Sequence, residues 1–269
     1  MVSLAAICLN EEEFIEAWLR YHYDSFDQII IAEGAARNFP REAVTGDGLS
    51  SDRTAEIIYD FPDPDNKIQF IQHGWAGPAH SLSAAVPAKM ELRNAYAERL
   101  KDGYVYTLDI DEFLHPDYIV DLNRFLDDRK DITGWQLPFL HLWQDTAHFV
   151  TGGFADQSHY RLYRWKQGGR YIVNHNWPSG PDKSLLTAGG VFQPLCVEDG
   201  CLTQPSIVHY GFCENKNSTA DKNDYYILRG ENETRPHISE FRNAALRGMT
   251  PQGCAIHEYC GFLPLEQVD

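Results

Sequence analysis

Asp109, Ile110, Asp111 and Glu112 place three carboxylates directly after an apolar run, Tyr104 to Leu108. In extended backbone, residues two apart point the same way, so Asp109 and Asp111 can approach one divalent cation or a ribose hydroxyl together. Two hard oxygen ligands are what Mg²⁺ or Mn²⁺ takes when it also binds substrate phosphates. A DxD triplet alone is common in solvated loops, so its meaning depends on what else the chain carries. Comparable polar groups are Asn10-Glu11-Glu12 just after the run Val2 to Leu9, Glu33 after the run Gln28 to Ala32, and Asp47 to Thr54 ahead of a helical stretch. Arg93, in Lys89-Met90-Glu91-Leu92-Arg93-Asn94, brings a helix cation toward the same region.

The elements that position these groups read as alternating strand and helix. Val2 to Leu9 is a continuous apolar run, as a buried parallel strand requires. Asn10 and Glu13 have capping-box spacing, and Phe14, Ala17, Trp18 and Tyr21 form one helical face. A second strand ends at Glu33, a long loop holds Pro40, Gly46 and Gly48, and a helix starts at Ser51 or Asp52 and runs through Ile58. Asp52 is suited to the first turn and Ser51 to the N-cap, which gives both a structural use. A third strand, Lys67 to Gln72, a helix from Ala88 to Leu100 and the fourth strand before Asp109 complete the pattern. Open α/β sheets bind ligands at the carboxyl ends of their strands, where these acids lie. A helix is expected over Pro116 to Arg129, then short strands over Gly134 to Leu142, Tyr160 to Trp165 and Ser206 to Phe212. Two helical candidates follow, Thr219 to Leu228 and Ser239 to Arg247.

The composition narrows the class. The chain has 269 residues, 43% hydrophobic and 13% aromatic, enough for one sizeable core. Its formal net charge of −16 disfavours partners held by bulk positive charge, nucleic acid above all; only a local basic patch of Arg161, Arg164, Lys166 and Arg170 works the other way. No apolar run approaches the roughly 20 residues of a membrane span, and Met1-Val2-Ser3-Leu4 lacks a basic leader, so a cytoplasmic protein is expected. The six cysteines contain no CxxC pair, which suits reduced thiols; the late five, with His209 and His257, lack zinc-ligand spacing.

In order and spacing, Asn10-Glu11-Glu12, the loose D-G-x-S-x-D-x-T string from Asp47 to Thr54, Lys89 to Asn94 and the DxD resemble the inverting glycosyltransferases of family 2. The resemblance covers roughly residues 2 to 120. It implies a GT-A fold, that is, an α/β architecture with a Rossmann-like, mostly parallel central sheet flanked by helices and a more irregular acceptor-side region. Residues 1–130 would form the nucleotide-sugar half and 131–269 the acceptor half of one compact domain. The implied reaction moves a sugar from a nucleotide donor, often a UDP-sugar, to a hydroxyl acceptor, with Mn²⁺ or Mg²⁺ as cofactor. Leu9, Asn10, Glu11, Glu33, Arg93, Asp109, Ile110 and Asp111 are the implied donor-binding residues. Asp109 and Asp111 would hold the metal, with His209 completing its shell. Glu33 would take the uracil-side role given elsewhere to an aspartate, because about a dozen residues separate it from Asp47 here.

The catalytic base is sought in the polar connection Gln144 to Ser158, which offers Asp145 and Asp156. His175, after Arg161-Leu162-Tyr163-Arg164, is a candidate on the phosphate side, as are Lys216 and Lys222. Sugar C–H faces stack on rings, so Trp143 and Trp177 are candidates for an acceptor platform, while most aromatics at strand period belong to the core. Three rivals remain. A haloacid-dehalogenase phosphatase carries its DxD on the first strand. A sugar nucleotidyltransferase opens with a Gly-rich basic loop where this chain has Leu9-Asn10-Glu11-Glu12-Glu13. A nucleotide-sugar or glycan binding module without turnover has no feature that separates it.

Overall fold

The structure, a computed structural model, describes residues 1–78, 85–115, 133–152, 159–174, 177–179, 189–191, 207–213, 243–245, 247–258 and 263. The first half runs β1 (Val2–Cys8), α1 (Ile15–His22), β2 (Gln28–Glu33), α2 (Thr54–Asp60), β3 (Ile68–Gln72), α3 (Ala85–Ala97) and β4 (Gly103–Thr107). β1 pairs in parallel with both β2 and β4, and β2 with β3, giving the order β3-β2-β1-β4. Every residue of β2 is buried, as expected for a parallel strand covered on both faces. One face packs Leu4, Ala6, Ile29 and Ile31 against Ile15, Trp18 and Leu19 of α1. The other packs Ala5, Ile30 and Ala32 against Tyr96 and Ala97 of α3. β2 and β4 flank β1 on opposite sides, the topology in which α/β sheets place a ligand crevice at the carboxyl ends of the strands, here β1 and β4.

The second half supplies β5 (Glu112–Leu114), β6 (Gly134–Leu137), β7 (Phe139–Leu142), β8 (His148–Thr151), β9 (His159–Trp165), β10 (Arg170–Asn174), β11 (Trp177–Ser179), β12 (Gly189–Val191), β13 (Ile207–His209) and β14 (Ala255–Glu258). β9 pairs antiparallel with β4 and β6, and β12 joins β6, so one largely parallel sheet of seven strands draws on both halves of the chain. A second sheet has the order β14-β8-β7-β13-β5. The α/β class is the one expected.

Several local expectations are corrected. The run Gly134 to Leu142 is two strands in two different sheets, interrupted at Pro138, which has no N–H to offer a ladder. α1 begins at Ile15, and Asn10 does not cap it. Asn10 takes a positive φ of 54°, and the Glu11 carbonyl accepts from the Phe14 and Ile15 N–H groups instead. α2 begins at Thr54, whose N–H and hydroxyl both donate to Asp52 Oδ1 (3.0 and 2.6 Å). α3 starts three residues earlier than the pattern suggests, with Pro87 tolerated in its first turn. The helices expected over 116–129 and 219–228 lie outside the described residues, and of 239–247 only 243–245 are described as helical.

His22, at the end of α1, couples this core to pH. Its Nδ1–H donates to the Trp18 carbonyl (2.9 Å), and its Nε2 accepts from the Leu114 N–H (3.4 Å), so both ring nitrogens are used by the neutral imidazole. Burial pushes its pKa down to about 3, although the Trp18 bond opposes the shift. The unfolded chain takes up the proton near pH 6.5, so the stabilisation is complete above that value and lost as pH falls toward 3. Between pH 7 and 5 this amounts to about 2 kcal/mol. Urea titrations at the two pH values should show that loss in the wild type and not in His22→Gln; equal slopes would remove His22 as the cause.

Candidate active site at the carboxyl ends of β1 and β4

Beyond β4 the chain does not stay extended. The Glu112 N–H donates to the Asp109 carbonyl (3.1 Å), and the Asp109 N–H donates back to Glu112 Oε2 (3.0 Å), closing a four-residue turn. Ile110, 1% exposed, pins the turn to the main core. The two aspartates of the triplet therefore meet different partners, contrary to the shared face expected of extended backbone. Asp109 stays partly exposed beside Arg161, its Oδ2 3.4 Å from Nη2, while Asp111 is nearly buried and faces His209.

Arg161 reaches the turn from β9. The antiparallel register pairs Tyr106 with Leu162 and so delivers the preceding residue to the carboxyl end of β4. Its guanidinium binds Glu112 through Nε to Oε2 (2.8 Å) and Nη2 to Oε1 (2.6 Å), both side chains being under 10% exposed. Burial pushes the Glu112 carboxyl up, the Arg161 charge pulls it back, and Asp109 and Asp111 push it up again. Burial also works against the Arg161 cation, but the Glu112 and Asp109 charges outweigh it and hold Arg161 above its usual value. Of the basic patch read from sequence, Arg161 is buried while Lys166 and Arg170 stay exposed. Arg161 is buried in this pair, Arg164 lies over the Tyr104 ring at 5.2 Å, and Lys166 meets Asp102 at 3.4 Å.

β13 brings His209. Its registers pair His209 with Glu112 of β5 on one side and with His141 of β7 on the other. His209 Nδ1 lies 2.8 Å from His141 Nδ1, and His209 Nε2 lies 3.7 Å from Asp111 Oδ2. His159 completes this histidine group, edge-on to Phe139; burial, with Arg161 next in effect, pushes it down to about 4. Burial and the neighbouring His209 likewise push His141 well below the usual histidine value.

The resemblance implies a divalent cation, and the Asp111–His209 pair fits one. At 3.7 Å the two atoms are too far apart for a hydrogen bond. Two donors each about 2.1 Å from one ion are separated by about 3.0 Å at a right angle and about 4.2 Å across it, which brackets that spacing. A Cβ on Gly211 would fall 2.6 Å from both Asp111 Oδ2 and His209 Nε2, and Gly211 has no positive φ, so the glycine serves space rather than backbone conformation. Carboxylate oxygen and imidazole nitrogen are both ligands that Mn²⁺ accepts. Among the described residues no group of three or more His, Cys, Asp or Glu side chains could hold a metal ion, so an ion here would draw its remaining ligands from substrate oxygens and water.

The β1 side of the crevice is a pair of laced loops. The Asn10 N–H donates to Ser50 Oγ (2.9 Å), its amide donates to the Ala43 carbonyl (2.7 Å), and its Oδ1 accepts from the Ser51 N–H (2.9 Å). The Glu11 N–H donates to Thr54 Oγ1 (2.7 Å) and the Glu12 N–H to Asp52 Oδ2 (3.1 Å). The string from Asp47 to Thr54 thus holds the turn after β1 in place, with Asp47 accepting from its own loop through Thr45 Oγ1 (2.6 Å).

No protein-family model matches the chain, and no curated protein matches it. Among solved structures it is similar to S. aureus TarS 1–349, with a TM-score of 0.41 and 11% identity over 91% of this chain and 70% of that one. The same protein in complex with UDP-GlcNAc matches with a TM-score of 0.41 and 9% identity over 91% and 72%. Glucosyl-3-phosphoglycerate synthase from Mycobacterium tuberculosis, with Mn²⁺, UDP and glucosyl-3-phosphoglycerate, matches with a TM-score of 0.33 and 16% identity over 52% and 44%.

The remaining candidates fall in different places. Leu9 is half-buried at the end of β1. Glu33 is completely buried, not a loop acid at the crevice; its two oxygens accept from the Ser50 N–H (3.0 Å) and Gln72 Nε2 (3.1 Å), which corrects its expected nucleobase role. Arg93, 3% exposed, sits on α3 with its guanidinium 5.8 Å from the Tyr171 ring. Asp145 lies in the β7–β8 turn, half-exposed, where its carboxylate accepts from the Ala147 N–H (2.9 Å) and meets His148 Nδ1 (2.8 Å). Trp143 is 1% exposed and packs with Val150 and Ala245, so it is core and not a sugar platform. Trp177 lies in β11, its side chain outside what is described, and Asp156, His175, Lys216 and Lys222 lie outside the described residues. Of the cysteines, Cys8, Cys213 and Cys254 are free thiols.

Four residues at this site carry roles that the sequence does not announce: Glu112, Arg161, His141 and Gly211. Arg161 opens the R-L-Y-R segment and Glu112 completes the acidic run, but nothing local pairs them. His141 and Gly211 carry no local signal at all.

Proposed function

We propose that the chain is a metal-dependent, inverting glycosyltransferase that takes a sugar from a nucleotide donor, a UDP-sugar in the first instance, and passes it to a hydroxyl acceptor. The observation that supports it most is the Asp111–His209 pair at the mouth of the β1/β4 crevice, 3.7 Å apart with Gly211 keeping the space between them clear. Asp111 and His209 would hold Mn²⁺ or Mg²⁺. Held there, the ion would supply Lewis-acid stabilisation of the negative charge that builds on the leaving diphosphate. Arg161 and Glu112 lock the turn that presents Asp111, and Asp109 stays exposed enough to meet a ribose or phosphate group. Asn10 and Glu11 hold the facing loop rigid so that its backbone can line the donor side. Asp145 and Asp156 are the carboxylates we put forward as candidates for the base that takes the acceptor hydroxyl's proton. Free thiols at Cys8, Cys213 and Cys254 accord with a reducing cytoplasmic setting, and among the described residues no helix is long and apolar enough to cross a membrane.

The test is incubation with UDP-glucose, UDP-galactose and UDP-GlcNAc, each with Mn²⁺ or with chelator, following UDP by a coupled assay. Mn²⁺-dependent UDP release from at least one donor supports the reading. Tight, metal-dependent UDP binding without release from any donor, with or without added sugar acceptors, would make the chain a binding module.

A further inference from the structure

We infer that His148 is the base of the proposed transfer, its Nε2 taking the proton of the acceptor hydroxyl, with Asp145 as the positioning residue that orients its ring. This rests on the glycosyltransferase reading and deepens it, since Asp145, one of the two carboxylates put forward there, acts through His148. His148 Nδ1 lies 2.8 and 3.0 Å from the two oxygens of Asp145. A carboxylate only accepts, so the ring proton sits on Nδ1 and the lone pair on Nε2. Burial works to raise the Asp145 carboxyl, but the bonds from His148 and the Ala147 N–H outweigh it and hold Asp145 below its usual value. An imidazole oriented by a carboxylate in this way accepts a proton at its far nitrogen and is stabilised once charged. With 42% of its side chain exposed, His148 is within reach of a substrate.

The sheet registers set where this pair stands. Partners across a ladder share a face, and so do residues two apart on one strand. His209 pairs with His141, His141 pairs with Val150, and Val150 is two residues from His148, so His148 and His209 stand on the same face of the second sheet. Two strand spacings across and two residues along separate their Cα atoms by about 12 Å, room for a sugar between the two imidazoles. The turn is also bonded to the segment that follows His209. The Gln144 N–H donates to the Phe212 carbonyl (2.9 Å) and Cys213 Sγ to the Asp145 carbonyl (3.4 Å), one and two residues past Gly211. In the step itself the acceptor O–H bond breaks and its proton passes to Nε2. The freed oxygen pair forms the bond to the anomeric carbon, and the bond from that carbon to the diphosphate oxygen breaks, its pair leaving on the diphosphate.

The test follows UDP release with Mn²⁺ from the UDP-sugars named above, with water or added sugar as acceptor, in wild type, His148→Gln, His148→Gly with and without imidazole, Asp145→Asn and Glu258→Gln. Donor KM and thermal melts are measured beside it. In His148→Gln, kcat should fall roughly 10²–10⁴-fold while donor KM stays within about threefold. Imidazole added to His148→Gly should restore about tenfold or more, because it supplies the missing base in solution. Asp145→Asn should lose about 100-fold or more in kcat, since its amide can donate to Nδ1 and hold the ring in the wrong tautomer. Glu258→Gln, which removes the charge opposite His148 in β14, should stay close to the wild type. If Asp145→Asn loses activity while His148→Gln keeps it, Asp145 is itself the base and the inference is wrong. If both keep the wild-type rate, the base lies elsewhere, and the inference fails while the glycosyltransferase reading stands. A loss in His148→Gln that comes with a lower melting temperature, and that imidazole does not reverse in His148→Gly, marks a structural role and overturns it too. A wild type that releases no UDP from any donor overturns the glycosyltransferase reading and the base with it.

Discussion

Asp111→Asn should abolish Mn²⁺ binding and lower metal-dependent UDP release on the order of 10³-fold, equivalent to about 4 kcal/mol of transition-state stabilisation. The substitution keeps the shape of the side chain and removes one negative charge. Asp111 is nearly buried and pairs across 3.7 Å with His209, so its charge acts where little water screens it. Asp109→Asn should cost far less, within about tenfold, since Asp109 is 38% exposed and already shares its charge with Arg161. Gly211→Ala should reproduce the Asp111 phenotype by occupying the space instead of removing the charge. The measurement is UDP release at saturating donor beside an EPR titration of Mn²⁺, with thermal melts to show that the fold is intact. An Asp111→Asn enzyme that turns over as the wild type does would place the cation elsewhere or dispense with it.

Arg161→Met should be the most destabilising single change at the site, by about 3–5 kcal/mol. It leaves Glu112, 3% exposed, as a buried carboxylate without its bidentate partner. The loss spreads to the turn, because Glu112 Oε2 also accepts from the Asp109 N–H and the Glu112 carbonyl accepts from Trp18 Nε1 (3.1 Å) of α1. For a chain of this size the melting temperature should fall by roughly 6–20 °C. The double variant Arg161→Met/Glu112→Leu should recover most of that, since two apolar side chains pay neither desolvation cost. UDP release should not recover with it, because the turn that presents Asp111 has lost its carboxylate clasp. Calorimetry of the single and double variants checks this; equal melting temperatures for wild type and Arg161→Met would show that the pair carries no stability.

The acidic surplus divides along the same line. Glu33 and Glu112 are internal, each with both oxygens bonded, while Asp109 lies beside Arg161 and Asp111 faces His209. Composition registers all four alike as negative charge. Burial alone does not divide them, since Asp111 is 7% exposed; what differs is the partner each meets, Arg161 for Glu112 and His209 for Asp111.

The βαβ alternation of the first half was legible from the chain because it depends on local regularities. Continuous apolar runs make buried parallel strands, i, i+3 and i+4 spacing makes the face of α1, and acids after a strand fall at its carboxyl end whatever the rest of the chain does. The DxD was placed correctly at the end of β4 for that reason. Its conformation was not, because a hydrogen bond from the Asp109 N–H to the Glu112 side chain replaces extended backbone with a turn. The partners of that turn come from 49 residues away for Arg161, on β9, and 98 for His209, on β13 opposite the Asp111–Glu112 step. Strand registers between distant segments leave no period in the sequence. Whether Arg161 is a surface cation or a buried clasp, and whether His209 faces solvent or Asp111, was therefore decided only when the second sheet closed over the end of the first.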